Sequence, residues 1–424
     1  MTRGVSPIVD EMHVAAPRAA GIDVHKMQLT VSLRLAGPGA ESTLALTRTF
    51  GTDPPALAAM TGWLAEHEVS AAVMEGTGVY WERPYRVLEA AGVRPRLVHA
   101  RHVKQIKGRK TDVSDSLWLA RICQFGLARA SYVPPQEFSD LRQMCRHRRK
   151  LVAERARVRQ RIHKLLDRDG LRLGGLLSDI FGCNGRIVLD GLAAGRQPEE
   201  ILADLTWHVR PELQPLARAL GAELDKLSLW RLGQDLQGHD QAARRIEGLD
   251  REVEAAFAAH RRELNLLKTV PGVQRTSACA ILAEPDPDPA ATFGDGHALA
   301  AWAGLCPGND RSAGKRRSGR MRRGNPTLRV TLCECAHAAG RTKDSQFHGY
   351  QRAVTARRGY KRAVFATAHK MLRIIFAMLR DDAPYRDPGI DYDQLFVQRN
   401  APRWLRMLHR HGFLQPADAA APAA

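Results

Sequence analysis

Four carboxylates and one serine are the residues of this sequence with the clearest potential for chemistry. Asp23, Glu75, Asp112 and Asp115 lie in the N-terminal part of the chain, and Ser312 lies far downstream in an arginine-rich stretch. Clustered carboxylates bind divalent cations, and an all-oxygen set of ligands favours Mg²⁺ or Mn²⁺ over zinc. A serine among arginines indicates a nucleophile directed at a phosphate. Together the two groups predict an enzyme that breaks and rejoins a nucleic-acid backbone.

The charge of the whole chain agrees with a polyanionic partner. At 424 residues the sequence is long enough for about two or three domains, and its formal net charge is +19. Such a charge attracts nucleic acid rather than a neutral metabolite. No apolar run is long enough to span a bilayer, and the N-terminus lacks a signal-peptide core. We therefore expect a bacterial protein that stays in the cytoplasm, associated with the nucleoid.

The seven cysteines indicate neither a disulfide framework nor a zinc site. They are scattered along the chain without a C-x-x-C pair. Cys333, Cys335 and His337 alternate along a predicted helix, so they cannot share one face around a metal ion. Buried free thiols are therefore predicted.

The N-terminal part of the chain is predicted to be a mixed α/β domain. Residues 1–19 have no periodicity and are predicted to form a flexible tail, and the α/β pattern extends over residues 20–133. The predicted order of elements, β-β-β-α-β-α-β-α, is that of a ribonuclease H-like domain. The elements are strands at Gly21–Val24, Leu29–Leu35 and Leu44–Phe50, a helix at Pro54–Glu68, a strand at Ala71–Glu75, a helix, a strand at Pro95–His99 and a closing helix that begins at Thr111.

In this arrangement the four carboxylates converge. Asp23 lies in the first strand and Glu75 ends the fourth. Asp112 and Asp115 are three positions apart on the closing helix, hence on one face. Four carboxylates this close would repel one another unless a cation bound between them. The alternatives are that Asp112 stabilises the helix N-terminus, with Thr111 as N-cap, and that Asp115 lies on a solvated face.

Basic residues are concentrated beside these groups and in a long helix. We expect contacts with the phosphate backbone of nucleic acid, although a charge run is often only a solvated face. The predicted contacts are Arg101, Lys104, Lys107, Arg109 and Lys110 before the acidic helix, Arg146, Arg149, Arg157 and Arg161 in the long helix, and Lys315, Arg316, Arg317, Arg320, Arg322 and Arg323 near the serine.

The rest of the chain is predicted to be mostly α-helical. Residues 134–264 form a helical or coiled-coil segment, which contains the long basic helix Leu141–Asp169 and a second helical stretch, Pro211–Leu267. Two such helices either join subunits or fold back on each other within one chain, and the pattern leaves both open. Residues 265–385 are predicted to form a C-terminal domain, and residues 386–424 a C-terminal tail.

The sequence Val270-Pro-Gly-Val273 predicts a turn between two helices. It is similar to the hairpin by which helix-hairpin-helix motifs offer backbone N–H groups to a phosphate, a contact that Gly272 would make. A plain packing corner would also need Pro-Gly, so both interpretations stay open.

Ser312 is predicted to lie in a loop, because it follows the breaker Cys306-Pro-Gly-Asn309. Ala313 and Gly314 leave room for close approach of a substrate. The alternative is a hydroxyl that only contacts phosphate, and Ser318 competes for either role. No recognisable His and Asp partners accompany Ser312, so its activation would come from metal, arginine or the substrate.

These motifs resemble the insertion-sequence-110 family of transposases, the DEDD-type recombinases guided by a bridge RNA. The resemblance extends from Gly21 to about Leu379. It rests on Gly21-Ile-Asp-Val-His-Lys26, Glu75-Gly-Thr-Gly-Val-Tyr80, Lys110-Thr-Asp-Val-Ser-Asp115, Val270-Pro-Gly-Val273, Gly304-Leu-Cys-Pro307, Ser312-Ala-Gly-Lys315 and Gly324-Asn-Pro-Thr-Leu-Arg329.

The resemblance implies a RuvC-like N-terminal domain, a coiled coil and a C-terminal transposase domain. It places the metal-binding tetrad on Asp23, Glu75, Asp112 and Asp115, and the nucleophile on Ser312. It also implies donor and target DNA, a guide RNA and a homo-oligomer, a dimer to tetramer in which one subunit's tetrad can meet another's serine. Gln274 and Ala313 depart from the pattern, since glycine is common at both positions. Two alternatives remain: a RuvC-like metal-dependent nuclease or junction resolvase without a covalent step, and a non-catalytic nucleic-acid-binding protein.

Overall fold

The structure is a computed structural model, and it describes residues 14–36, 43–76, 78–103, 106, 114–127, 129–206, 213–221, 224–308, 310–312 and 315–414. The chain divides into two compact units, Met1–Val133 and Pro134–Ala424. No helix within the described ranges is long and apolar enough to cross a membrane.

A five-stranded sheet is the centre of the N-terminal unit. Its strands are β1 (Arg18–Val24), β2 (Gln28–Ala36), β3 (Thr43–Gly51), β4 (Ala71–Glu75) and β5 (Arg94–Val98), and the helices are α1 (Pro54–Glu66), α2 (Glu82–Ala90), α3 (Ala100–Val103) and α4 (Asp115–Gln124). The strand order is β3-β2-β1-β4-β5. The first three strands are antiparallel, whereas β4 runs parallel to β1 and β5 parallel to β4.

The predicted order of elements in this unit is confirmed, with the short helix α3 as an addition before the closing helix. One boundary is wrong, because the closing helix α4 begins at Asp115 and not at Thr111. Ser114 has a non-helical backbone and its Oγ accepts the N–H of Leu117 at 3.4 Å, so Ser114 is the N-cap. Asp112 lies outside the described residues. Its predicted place on one face with Asp115 therefore stays a prediction.

The two faces of β1 pack against different helices, because successive side chains of a strand alternate between faces. Ile22 belongs to a core with α1 and α2, and Ala19 belongs to the core formed with α4. Gly21 lies on the α4 face, where an added Cβ would be 2.1 Å from the Ala120 nitrogen and from the Ser116 carbonyl oxygen. The missing side chain at Gly21 therefore lets α4 lie directly on the sheet.

Replacement of Gly21 by alanine should lower the free energy of unfolding by about 1–3 kcal/mol or more, because the new methyl group must displace the α4 backbone. Gly62→Ala in α1 is the matched control, since a Cβ there meets nothing within 4 Å. The control should be neutral or stabilising by up to about 1 kcal/mol. Urea denaturation of the full chain measures both variants, and equal midpoints would contradict the direct contact of α4 with the sheet.

The C-terminal unit is almost entirely helical. Two 3₁₀ turns (Leu173–Gly175 and Ala258–His260) accompany its longer elements. These are α5 (Gln136–Arg168), α6 (Cys183–Ala193), α7 (Pro198–Ala203), α8 (Leu213–Leu220), α9 (Lys226–Ala256), α10 (Arg261–Lys268), α11 (Arg275–Leu282), α12 (Pro289–Phe293), α13 (Gly296–Trp302), β6 (Asp310–Ser312), β7 (Lys315–Ser318), α14 (Pro326–Ala339), α15 (Gln346–Arg358), α16 (Tyr360–Asp381) and α17 (Tyr392–Arg410).

The long helices α5 and α9 pack against each other in antiparallel orientation within one chain. Arg148 pairs with Asp250 near one end of α5, and Arg161 pairs with Asp235 further along it. The intramolecular hairpin that the pattern left open is therefore present. The helical stretch predicted over residues 211–267 is three helices, since α9 has its own N-cap, Asp225, whose carboxylate accepts the Ser228 N–H at 2.6 Å.

Two hydrophobic cores flank this pair of helices. One joins the ends of α5 and α9 to α6, α7 and α8. The other joins their opposite ends to the helices from α10 to α16. At the turn between α10 and α11, Gly272 has a φ of 82°, and an added Cβ would be 2.4 Å from the Cys335 carbonyl oxygen on α14. Close packing against α14 thus accounts for this glycine, and its contact with a phosphate stays a prediction.

The cysteines of the unit are free thiols, as predicted, but they are not uniformly buried. Burial raises the pKa of Cys279 and of Cys335 to about 11 each. Cys183, at the start of α6, is exposed.

Candidate active site

Three of the four proposed carboxylates lie at the same end of the N-terminal sheet. Ile22 and Met74 are paired in parallel register, so Asp23 and Glu75 follow side by side at the ends of β1 and β4. Both belong to the face that packs on α4, since they alternate with the residues of the opposite core. The first residue of α4 is Asp115.

Helix α4 runs antiparallel to β1, which brings its N-terminus to the carboxylate end. Ser116 Oγ is 2.8 Å from Ser32 Oγ, opposite Gly21, and Gln124 at the other end of α4 accepts from Arg34 at 2.7 Å. The positive end of the α4 dipole therefore points toward the edge where the acids lie. The positive end of the dipole therefore reduces the electrostatic repulsion among carboxylates at this edge.

Asp23 is the most completely described of these acids. Its side chain is 30% exposed, and Oδ2 lies 3.1 Å from Nε2 of His25, which belongs to the same Gly-Ile-Asp-Val-His motif. The carboxylate is thus accessible to a substrate or an ion.

The donors at this edge fit a hard cation, because all of them are carboxylate oxygens. Within the described ranges, however, no group of three or more His, Cys, Asp or Glu side chains is arranged to hold a metal ion. Asp112, the fourth carboxylate of the predicted set, lies outside those ranges. Asp23, Glu75 and Asp115 are the described residues that could contribute.

Ser312 ends a strand of a short hairpin, so the prediction of an irregular loop is wrong. Strands β6 and β7 are antiparallel, with Ser312 opposite Lys315 and Asp310 opposite Ser318. This register places Ser312 next to the tip of the hairpin and Ser318 toward its base. A residue at the tip can approach a separate macromolecule more closely, which favours Ser312 over Ser318 as the reacting hydroxyl.

The base of this hairpin is closed by direct backbone contacts. Gly308 N–H donates to the Arg320 carbonyl at 2.8 Å, and Pro307 and Met321 form a bridge. Gly304 has a φ of 73°, and a Cβ on Gly324 would lie 2.4 Å from the Gly304 nitrogen. The two arms can meet this closely because neither glycine has a side chain.

A buried glutamate attaches the base of the hairpin to the helical core. Glu284, just after α11, is 1% exposed and accepts hydrogen bonds from both Arg146 nitrogens at 3.0 and 2.8 Å. Asn325 Nδ2 donates to it at 2.5 Å, while Asn325 Oδ1 accepts the Leu328 N–H and caps α14. Arg142 adds hydrogen bonds to the carbonyls of Ala283 and Glu284. The sequence signal of this contact is an acid directly after an apolar helix, and none of the motifs described above contains it.

Several arginines predicted to bind nucleic acid have partners within the unit. Arg146 contacts Glu284, Arg149 contacts Glu334 at 2.6 Å, and Arg161 contacts Asp235 at 3.0 Å. Arg157 is exposed and donates to the Ala153 carbonyl at 3.4 Å. An ion pair lowers the local positive potential, so these positions attract phosphate less than their sequence pattern suggests.

Of the remaining predicted contacts, some are exposed and the others lie outside the described residues. Lys315, Arg320, Arg322 and Arg323 are exposed around the hairpin. Lys104, Lys107, Arg109 and Lys110 lie outside the described residues, as do the side chains of Arg101, Arg316, Arg317 and Ser312.

Loss of Glu284 should destabilise the C-terminal unit strongly, because Arg142 and Arg146 would keep their charges without the buried partner. We expect Glu284→Ala to lower the free energy of unfolding by about 3 kcal/mol. Glu284→Gln should cost less, since its carbonyl still accepts from Asn325. Glu334→Ala is the matched control, an acid that is 61% exposed in its pair with Arg149, and should cost about 0–1 kcal/mol. If urea denaturation shows a similar decrease in the free energy of unfolding for both alanine variants, Glu284 does not anchor the hairpin.

Comparison with known proteins assigns the chain to a family. Residues 20–169 match a transposase family model named DEDD_Tnp_IS110, and residues 264–352 match the model of the transposase IS116/IS110/IS902 family. The first match includes the four carboxylates and the second includes Ser312. The chain belongs to the IS110 family of transposases.

One relative and one solved structure are also similar to parts of this chain. The transposase for insertion sequence element IS1111A of Coxiella burnetii (strain RSA 493 / Nine Mile phase I) is 26% identical over 339 residues, which cover 76% of this chain and 81% of that protein. The solved structure is the Thermus thermophilus RuvC structure, which is 18% identical in sequence. The match covers 27% of this chain and 99% of that chain, with a TM-score of 0.22. Transposases act on DNA by cleaving and rejoining it, and that is the class of activity of this chain.

Proposed function

We propose that the chain is a DNA recombinase of an insertion sequence, which cuts and rejoins donor and target DNA through a covalent bond to Ser312. The observation that supports this most directly is the register of the hairpin, with Ser312 beside its tip and a base closed by backbone contacts. A nucleophile must be presented to the substrate on a rigid support, and this hairpin meets that requirement.

The carboxylates Asp23, Glu75, Asp112 and Asp115 are proposed to hold Mg²⁺ or Mn²⁺ at the scissile phosphate. When bound, such an ion supplies positive charge to the phosphate oxygens. The N-terminus of α4, at Asp115, adds a partial positive charge at the same edge. The partly exposed Asp23 carboxylate leaves room on one side for DNA.

The covalent step is a transesterification. Ser312 Oγ attacks phosphorus, its proton is lost to solvent, and a new Oγ–P bond forms as the P–O3′ bond breaks. The released 3′ oxygen takes up a proton and becomes a free hydroxyl. After the strands are exchanged, a 3′-hydroxyl attacks the phosphoserine and releases the serine. The number of phosphoester bonds does not change, so no ATP is needed. Lys315, exposed opposite Ser312, can neutralise charge on the phosphate.

We further propose that a bridge RNA selects the DNA sites by base pairing, with the protein contacting backbone and shape. The net charge of +19 is suited to holding two nucleic acids at once. A homo-oligomer, from dimer to tetramer, would let the carboxylates of one subunit act with the serine of another.

A second candidate function is a metal-dependent nuclease or junction resolvase. The contact of 3.1 Å between His25 and Asp23 favours it, because an imidazole beside a carboxylate can accept a proton from an attacking water. In that case Ser312 would only contact phosphate.

The role of Ser312 can be tested by trapping the covalent intermediate. A suicide DNA substrate, nicked next to the cleavage site, should leave protein bound to DNA through a bond that survives denaturant. Ser312→Ala should give no adduct and no recombination, and the control Ser318→Ala should retain both. If denaturing gels show cleaved DNA without attached protein, the nuclease is the better description.

The carboxylates can be tested separately from binding. Asp115→Ala and Asp112→Ala should reduce recombination by at least about 10³-fold, because charge on the phosphate would no longer be offset. Affinity for DNA and RNA should remain within about twofold, since acids do not attract polyanions. Glu89→Gln, which removes an exposed acid paired with Arg86 on α2, is the control. Normal recombination by either alanine variant in Mg²⁺ would eliminate that residue from the site.

A further inference from the structure

The basic residues of the C-terminal unit differ in whether their charge is compensated. On α5, six of the arginines lie in ion pairs with acids elsewhere in the unit, namely Arg142, Arg146, Arg148, Arg149, Arg159 and Arg161. Most of the positive charge of α5 is therefore compensated, although Arg157 is exposed without an ion pair in the described part of the chain. The turn between α15 and α16 contains the densest group of uncompensated cations in the described part of the chain.

Helix α15 ends at Arg358 and α16 begins at Tyr360, joined by Gly359 alone. Gly359 has a φ of 80°, which lets the chain reverse in one residue. We call this segment, residues 357–362, the basic corner. Its cations are all exposed, and within the described ranges none of them has an ion-pair partner; they are Arg357, Arg358, Lys361 and Arg362.

Two of these four cations stabilise the helix in which they lie, and the other two do not. Arg357 and Arg358 lie in the last turn of α15, where cations interact favourably with the helix dipole. Lys361 and Arg362 lie in the first turn of α16, where the dipole is positive and a cation is unfavourable. Unpaired cations at a helix N-terminus raise the local potential further. An external anion would offset this cost.

An aromatic side chain lies among these cations. Tyr360 is 47% exposed, and its ring meets His337 of α14 edge to face at a centroid distance of 5.8 Å. Bases that are unpaired stack on such rings, whereas the bases of a duplex are already stacked on each other. A tyrosine within a basic group is thus suited to a single strand.

We propose that the basic corner binds the phosphate backbone of an unpaired nucleic-acid strand, with Tyr360 stacking on one of its bases. This inference rests on the proposed function only in assuming a polynucleotide substrate, and it does not depend on Ser312 or the carboxylates. Neither the cations nor Tyr360 belong to the matched segment 264–352.

The charge part of the proposal is tested by salt dependence of binding. The variant Arg358→Ala/Lys361→Ala/Arg362→Ala is compared with Arg231→Ala/Arg244→Ala/Arg245→Ala, which removes three exposed charges from α9. Fluorescence anisotropy of the full chain with a labelled oligo-dT strand gives affinity against salt concentration. The corner variant should flatten the slope of log affinity against log salt by about 2, at about 0.7 per phosphate contact. Equal changes in both variants would mean that only net charge matters, and would overturn the proposal.

The stacking part is tested at Tyr360. Tyr360→Ala should weaken binding of oligo-dT by about tenfold and leave binding of a duplex unchanged, while Tyr360→Phe should retain both affinities. Equal weakening for single strand and duplex, or no weakening, would overturn the stacking assignment. The Ser312 adduct at saturating DNA should persist in every corner variant. Absence of that adduct in the unaltered chain would contradict the proposed function, but it would not affect the proposal that the basic corner binds a single strand.

Discussion

The architecture of the C-terminal unit depends on one buried carboxylate. Glu284 is 1% exposed, and an ionised group with so little access to water is tolerated only when it is paired and fully hydrogen-bonded. Arg146 from α5 and Asn325 from the base of the hairpin supply those bonds. Because breaking them would leave charges without partners, the contact fixes the hairpin base relative to α5 and α11. The proposed nucleophile, Ser312, thus extends from an anchored support.

In each unit, glycines allow two backbone segments to approach closely beside the residues proposed for the reaction. At Gly21 the backbone of α4 rests directly on β1, which brings Asp115 to the sheet end where Asp23 and Glu75 lie. At Gly304 and Gly324 the two arms of the hairpin meet backbone to backbone. A single methyl group at either place would separate elements that must stay together, so small residues here matter as much as the polar ones.

The net charge of +19 is unevenly available for binding. Most arginines of α5 are matched by acids that lie far away in sequence, 74 positions for Arg161 and Asp235 and 185 positions for Arg149 and Glu334. The segment around Tyr360 is much less conspicuous in sequence than α5, yet its cations are exposed. Within the basic corner the cations differ in electrostatic free energy. Those at the end of α15 interact favourably with the helix dipole, whereas those at the start of α16 interact unfavourably with it.

The sequence by itself determined the strands of the N-terminal unit and the helical character of the rest, because alternation, helical periodicity and turn residues act over a few positions. It also determined the family, since motif order and spacing are properties of the chain. Tertiary structure decided that Ser114 and not Thr111 is the N-cap of α4, that α5 pairs with α9, and that Ser312 lies in a hairpin. It alone decided which cations are paired and how Glu284 is compensated. Such contacts join residues far apart in sequence, and their energies depend on burial and geometry that no local pattern contains.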